Sequence, residues 1–404
     1  MISVQEATAR IGAHPGVPPA TQIPLSQAVG CILREPVHAD RDFPPFHRAT
    51  MDGIALAFAQ AAAGRRTFRV AGTVYAGTPP VRLADPESCV EIMTGAVLPG
   101  GADTVVRYED LQLDEGPGGR RATLRGTPEK PGHNVHLRGT DGRQGDLLIP
   151  AGTRLGPAEI GVAASVGRAT LTVSGPLRVA VVSTGDELVE VDQVPLPHQI
   201  RRSNAHMLGA ALREAGAAPA LFHVPDDKPT IRRTLERILP EHDCLVLSGG
   251  VSMGKSDFVP EVLRELGVET LFHKVAQKPG KPFWFGRAAA GQAVFAFPGN
   301  PVSTFLCCYR YLVPWLRAAG GQPVLPAAHA VLDETIRFPP PLTYFVPVRT
   351  YQDARGVVRA RPLPGSGSGD FANLLHADAF LELDAGTDTF PAGEAFPLIR
   401  FRNG

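Results

Sequence analysis

Between residues 177 and 319 the sequence alternates short apolar runs with longer amphipathic ones, and this alternation limits the fold more than any other feature. LRVAVVS (177–183) is a continuous apolar run, as a strand buried on both faces should be. The amphipathic SNAHMLGAALREAG (203–216) predicts a helix capped by Ser203 or Asn204. Met207, Leu208, Ala211, Leu212 and Ala215 share one face of it, and Gly216 is the stop. The pattern continues as strand ALFHV, helix TIRRTLERIL, strand CLVLS, helix DFVPEVLREL, strand LFHKV and the hairpin-like PFWFG…AVFAF. One long helix, VSTFLCCYRYLVPWLRAA (302–319), closes it. Repeated β-α alternation predicts a three-layer α/β domain around a largely parallel sheet.

The flanking segments are written differently. Ser3-x-x-Glu6 has the form of a capping box ahead of Ala7 and Ile11, so the first forty residues read as helical. From about Thr67 to Val173, short β-branched runs such as TFRVAGTVYAG, CVEIMTG and DTVVRYE are separated by Gly and Pro turns, the writing of antiparallel β or a β-barrel. GGQPVLPAA (320–328) reads as a linker, and the runs beyond it as a small all-β module.

Composition narrows the function classes. At 404 residues the chain predicts two to four domains. It is 44% hydrophobic and 20% charged, the balance of a soluble globular protein. Its formal net charge of zero argues against a nucleic-acid or anionic-membrane partner. No signal peptide and no bilayer-spanning run is visible. The five cysteines form no metal-ligand spacing and read as free thiols in a reducing cytoplasm.

One string invites a different reading. Gly249-x-x-x-x-Gly254-Lys255-Ser256 has the P-loop pattern of nucleotide hydrolases, between a strand and a helix. A P-loop enzyme also needs a later strand ending in an Asp to hold Mg²⁺, and LFHKV, PFWF and AVFAF do not end in an acid. The other strand ends are more informative. LRVAVVS runs into Thr184-Gly185-Asp186-Glu187, ALFHV into Pro225-Asp226-Asp227, CLVLS towards Asp257, and AVFAF into Pro298-Gly299-Asn300-Pro301; Lys278-Pro279-Gly280-Lys281-Pro282 lies between. Ligands of open parallel sheets bind outside the carboxyl ends of the strands. Lysines and helix N-termini there neutralise phosphate, and carboxylates hold a Mg²⁺ that bridges to it. That combination suits a Mg-bridged di- or polyphosphate ester. Asp226/Asp227 and Ser256/Asp257 each precede a helix and also fit as N-caps.

These residues resemble the MoeA family of molybdopterin molybdenumtransferases, which includes the C-terminal part of gephyrin. Nine stretches carry the resemblance in order: Ala49–Ala55, Thr94–Asp103, Asn134–Asp141, Ser183–Leu188, Ser203-Asn204, Asp226-Asp227, Ser248–Asp257, Lys278–Pro282 and Pro298–Ser303. The family pattern S-G-G-x-S-x-G-x-x-D falls on Gly249, Gly250, Ser252, Gly254 and Asp257. Lys255 and Ser256 fall on variable positions, which makes the P-loop string a coincidence.

The resemblance implies four domains: 1–45 with 145–176, an inserted β-rich 46–144, the α/β domain 177–324, and a β-barrel-like 325–404. It implies that adenylylated molybdopterin and molybdate react with Mg²⁺, with pyrophosphate cleavage, AMP release and molybdenum left on the dithiolene. Glu187, Asp226 and Asp257 are the candidates for Mg²⁺ and water, and Lys274, Lys278 and Lys281 for phosphate or molybdate. Gly249, Gly250 and Ser252 would bring backbone N–H groups to the ligand, with Pro298, Asn300 and Pro301 shaping the rim. Asp52, Thr94 and Asp141 would complete the site from the other protomer of a dimer; Asp52-Gly53 is also a hairpin signal. An adenylyltransferase is a possible partner. Two positions depart from the family's N-[IV]-R-x-x-G-E-D: His136 replaces an arginine and Thr140 a glutamate. Arg138 is the candidate to substitute in binding an anion. An adenylyltransferase activity and a non-catalytic pterin-binding scaffold are the competing readings.

Overall fold

In the computed structural model the described residues are 1–250, 258–322, 326–363, 365 and 367–402. The chain divides into two compact units: residues 1–35, 152–155 and 170–404 form one, and residues 36–151 and 156–169 the other.

The larger unit is built on a six-stranded sheet in the order Ala218–Val224, Arg178–Thr184, Cys244–Ser248, Ala293–Phe297, Trp284–Arg287, Glu269–His273. The first four strands are parallel and the last two antiparallel to their neighbours. Alternate side chains of each central strand enter different cores. Val179, Val181, Val246 and Phe295 pack with Leu208, Leu212 and Leu312 on one face; Ala180, Val182, Leu245 and Val294 pack with Ile231, Leu235 and Val262 on the other. With both faces covered by helices, a strand has no polar side, which accounts for the unbroken apolar runs.

Helix Ser203–Glu214 ends as its sequence predicts, with Gly216 at φ +83°. Its N-cap is Arg202, one residue earlier than expected, and no side chain caps it. The 302–319 run is not one regular helix: Pro301–Cys307 and Val313–Ala319 flank a π turn at Cys308–Leu312. Pro314 has no N–H to donate to the Arg310 carbonyl, and the wider turn absorbs that missing bond.

A closed five-stranded barrel completes this unit. Thr343–Gln352 pairs with Val358–Pro362 and Ala379–Leu383; Ala395–Arg400 joins Ala379–Leu383 to Ala328–Leu332, which closes onto Val358–Pro362. Gln277–Lys278 adds a short parallel strand to Thr343–Gln352. Only Val4–Gly12 of the N-terminal forty residues is α-helical. Ser3 Oγ accepts from the Glu6 N–H at 3.0 Å, but the Glu6 carboxylate turns to Arg10 instead of closing the capping box. Pro15, Pro18 and Pro19 stop the helix, and Ala20–Pro24 pairs with Thr170–Ser174.

The smaller unit holds a six-stranded sheet in the order Thr104–Arg107, Gly53–Leu56, Ser88–Ile92, Thr67–Val74, Gly119–Leu124, Leu111–Gly116. It is antiparallel except where Thr67–Val74 runs parallel to Ser88–Ile92. Asp52-Gly53 does not make the hairpin turn its letters suggest. Gly53 opens a strand so close to its neighbour that a Cβ there would stand 2.0 Å from the Val106 carbonyl oxygen.

Candidate active site

A cavity of about 540 Å³ opens at the carboxyl ends of the parallel strands, lined among others by Glu187, Asp226, Gly249, Gly250, Pro298, Asn300 and Pro301. Its floor is polar where the strands were apolar. Ser183 Oγ, Thr184 Oγ1, Arg202 Nε and Asn204 Oδ1 are buried there without a hydrogen-bond partner among the described residues. Buried polar atoms are nearly always paired, so four orphans in one cavity mark a place built for a polar ligand. Asn204 is oriented for this: its amide nitrogen donates to Ser248 Oγ at 3.0 Å and to the Gly299 carbonyl at 2.8 Å, which leaves Oδ1 as an acceptor.

The glycines after strand Cys244–Ser248 are there for space and conformation. Gly249 and Gly250 have φ of +99° and +66°, and a Cβ on Gly250 would stand 2.8 Å from both Thr184 Oγ1 and Val259 Cγ2. The chain thus turns directly over the end of strand Arg178–Thr184. The carboxylate of Glu187 folds back over Gly185, whose Cβ would lie 2.6 Å from it. No other described side chain hydrogen-bonds or ion-pairs with it.

The two adjacent aspartates part company here. Asp227 is the N-cap of helix Lys228–Ile238: its carboxylate accepts from the Thr230 N–H at 3.0 Å and from the Thr230 hydroxyl. Those two bonds, the hydroxyl's first, hold its carboxyl below the usual range. Asp226 lines the cavity, and its backbone N–H donates to Asp186 Oδ1 at 3.1 Å. Ser252 and Asp257 lie outside the described residues.

A second cavity of about 490 Å³ shares Pro282, Pro298 and Asn300 with the first. Lys278 and Lys281 line it, facing Tyr344, Asp370 and Asn373 from the barrel and the segment beside it. Lys278 Nζ also lies 5.4 Å from the Phe338 ring centroid. Lys274 lines neither cavity; it is half-buried with φ +75°, and its N–H donates to the Phe283 carbonyl.

The remaining candidates belong to the smaller unit. Asp52 Oδ1 accepts from both the Thr94 N–H and the Thr94 hydroxyl, each at 2.7 Å, and these bonds lower its pKa from 3.8. Asp141 accepts from His136 Nε2 at 3.0 Å, while His136 Nδ1 accepts from Arg48 at 3.2 Å. A guanidinium only donates, so this arrangement suits a neutral ring with its proton on Nε2. Arg138 is paired with Asp42 at 2.7 Å, so its charge already has a counter-ion. The bonds Asp42 accepts, first from the Gln144 N–H and then from Arg138, lower its pKa.

Ser183, Thr184, Arg202 and Asn204 were given no role from the sequence, although Ser183, Thr184 and Asn204 fall in stretches that carry the family resemblance. A signal was present for the first two, since a Ser-Thr pair ends an otherwise apolar strand at its ligand-binding end. Arg202 carried none, because its burial depends on contacts with Glu190 and the Phe222 carbonyl.

Comparison with known proteins agrees with this layout in chain order. Residues 2–167 match the MoeA N-terminal region (domain I and II), residues 180–318 a family described as "Probable molybdopterin binding domain", and residues 329–401 the MoeA C-terminal region (domain IV). These matches define the class, a multidomain protein of molybdenum cofactor biosynthesis with a molybdopterin-binding-type α/β domain. A molybdopterin molybdenumtransferase of a Synechocystis species is 38% identical over 400 residues, 98% of this chain and 99% of the relative. One from Staphylococcus aureus is 30% identical over 406 residues, 98% of this chain and 95% of the relative. The crystal structure of a molybdopterin biosynthesis MoeA protein from Pyrococcus horikoshii superposes with a TM-score of 0.87 at 29% identity, covering 100% of both chains. The chain belongs to the molybdopterin molybdenumtransferase family.

Proposed function

We propose that this chain inserts molybdenum from molybdate into adenylylated molybdopterin, cleaving the pyrophosphate and releasing AMP. The observation that carries the reading is the 540 Å³ cavity, where two carboxylates and four buried polar atoms without a partner among the described residues meet at the strand ends. The orphan donors and acceptors would bind and orient the polar pterin nucleotide. The Gly249 N–H does not serve as expected, because it donates to the Phe297 carbonyl at 3.2 Å; the backbone N–H of Gly250, where no side chain intervenes, would approach the phosphates.

Glu187 and Asp226 fit a Mg²⁺ site. This ion takes one or two carboxylates and fills its remaining positions with water and phosphate oxygens. Among the described residues no cluster of three or more His, Cys, Asp or Glu makes an all-protein metal cage. Bound there, Mg²⁺ would offset the charge of the pyrophosphate. Asp257 would join them in holding the attacking water, and Ser252 would contribute to binding the ligand. Lys278 and Lys281 would draw molybdate into the adjoining cavity, and Lys274 would add positive charge nearby.

The family reading extends this to a homodimer in the cytoplasm, organised in the four domains given above. In it Asp52, Thr94, Asp141 and Arg138 serve the partner's site, and an adenylyltransferase supplies the substrate. The competing reaction has a different product. An adenylyltransferase releases pyrophosphate from ATP and molybdopterin, whereas the proposed enzyme releases AMP from the adenylylated pterin. Offering each substrate set separately and identifying the released product, AMP or pyrophosphate, tests the proposal; pyrophosphate release from ATP would replace it with the alternative.

A further inference from the structure

Lys278 and Lys281 reach the 490 Å³ cavity from a short loop, and the shape of that loop decides where their ammonium groups sit. Its carbonyls need hydrogen-bond partners. The Lys281 carbonyl accepts from the Val275 N–H at 3.0 Å, and one buried side chain supplies the partner for Pro279 and Gly280. Gln277, 0% exposed, donates from Nε2 to the Pro279 carbonyl at 3.1 Å and, less ideally, to the Gly280 carbonyl at 3.4 Å. Carbonyl oxygens only accept, so the amide must present its nitrogen to the loop and turn Oε1 away. There the Tyr311 hydroxyl, itself buried, donates to Oε1 at 2.5 Å. Cys307 Sγ stands 3.7 Å from Nε2, and a Cβ on Gly280 would stand 2.6 Å from it. The loop is thus pressed directly onto the amide.

The clamp also joins elements. Tyr311 sits in the π turn Cys308–Leu312, and the backbone of Gln277 pairs with Thr343 of the barrel. Lys278 follows in the same short strand, opposite Tyr344. A polar pair with no exposure to water, tied to the backbone between two lysines of a cavity, costs desolvation that an apolar pair of the same size avoids.

We infer that Gln277 and Tyr311 are positioning residues for anion binding: together they clamp the Pro279 and Gly280 carbonyls and set where Lys278 and Lys281 meet an oxyanion. The inference rests on the proposed role of those two lysines.

The test is binding of molybdate alone to the full chain by calorimetry, with melting temperatures measured in parallel. The variants are Lys281→Ala, Tyr311→Phe and the double Gln277→Leu/Tyr311→Phe. The double variant removes the buried Gln277–Tyr311 pair together but leaves the Pro279 and Gly280 carbonyls without their donor. It should therefore melt lower than wild type and, while still folded, bind molybdate about tenfold more weakly. In turnover its KM for molybdate should rise far more than its kcat falls. Wild-type affinity in the double variant, with Lys281→Ala weakened, overturns the clamp alone. Wild-type affinity in Lys281→Ala overturns the lysine reading and the clamp with it. If the double variant does not fold, Tyr311→Phe decides: it leaves the buried Oε1 unpaired and should melt lower than wild type, and about threefold weaker binding by the folded protein supports the clamp, whereas unaltered binding overturns it.

Discussion

Asp226 and Asp227 are chemically identical neighbours with different work. Asp227 spends its carboxylate on the first turn of helix Lys228–Ile238, whereas Asp226 lines the cavity. Asp227→Ala should lower the melting temperature by a few degrees and leave kcat/KM within about threefold, the usual result of losing a cap. Asp226→Asn should instead show itself in catalysis, with activity down at least about a hundredfold. Equal activity losses in the two variants would contradict this division. Asp52 gives a prediction in pH. Thr94 holds its carboxyl below the ordinary 3.8, so the stabilisation is present above that value and is lost as pH falls through the lowered one. Thr94→Val removes the hydroxyl but keeps the backbone N–H, so the Asp52 pKa should rise part of the way towards 3.8. Carboxyl NMR titration reads it; an unmoved value would show that the backbone bond alone sets the shift.

At the scale of elements, the turn after strand Cys244–Ser248 is the tightest constraint. Gly250 combines φ +66° with Thr184 and Val259 atoms 2.8 Å from any added Cβ. Gly250→Ala should cost ~1–3 kcal/mol in denaturant unfolding. A loss below that range would mean that the turn relaxes freely. The same strands show why much of the architecture was legible. Where both sheet faces are covered, burial alone writes the sequence, so the runs ending at Ser183, Ser248 and Phe297 could be read directly. Elements governed by local exceptions could not. The capping-box letters at Ser3 and Glu6 promise more helix than the following prolines permit, and Pro314 conceals a π turn within a helical pattern. The candidate site divides along the same line. Glycines and carboxylates at strand ends are conspicuous in sequence, whereas Arg202 and Asn204 matter through bonds to partners distant in the chain. No pattern of letters tells which of two adjacent aspartates bonds back to Thr230.

For the whole molecule, the candidate residues fall in two units, with Glu187 and Asp226 in one and Asp52, Thr94 and Asp141 in the other. The proposed sharing between protomers makes a prediction that a single-chain site does not. Inactive Asp52→Ala and Asp226→Asn proteins, unfolded together and refolded as a mixture, should regain about a quarter of wild-type activity through mixed dimers with one intact site. No recovery, with mixed dimers demonstrated, would place every catalytic group within one chain. Coupling of molybdate to pyrophosphate cleavage is the centre of the proposed reaction. The most direct measurement is AMP release from adenylylated molybdopterin with Mg²⁺, with and without molybdate, by wild type and Asp226→Asn. Release should depend on molybdate and be lost in the variant. Release at the same rate without molybdate, or undiminished in Asp226→Asn, would contradict the proposed reaction.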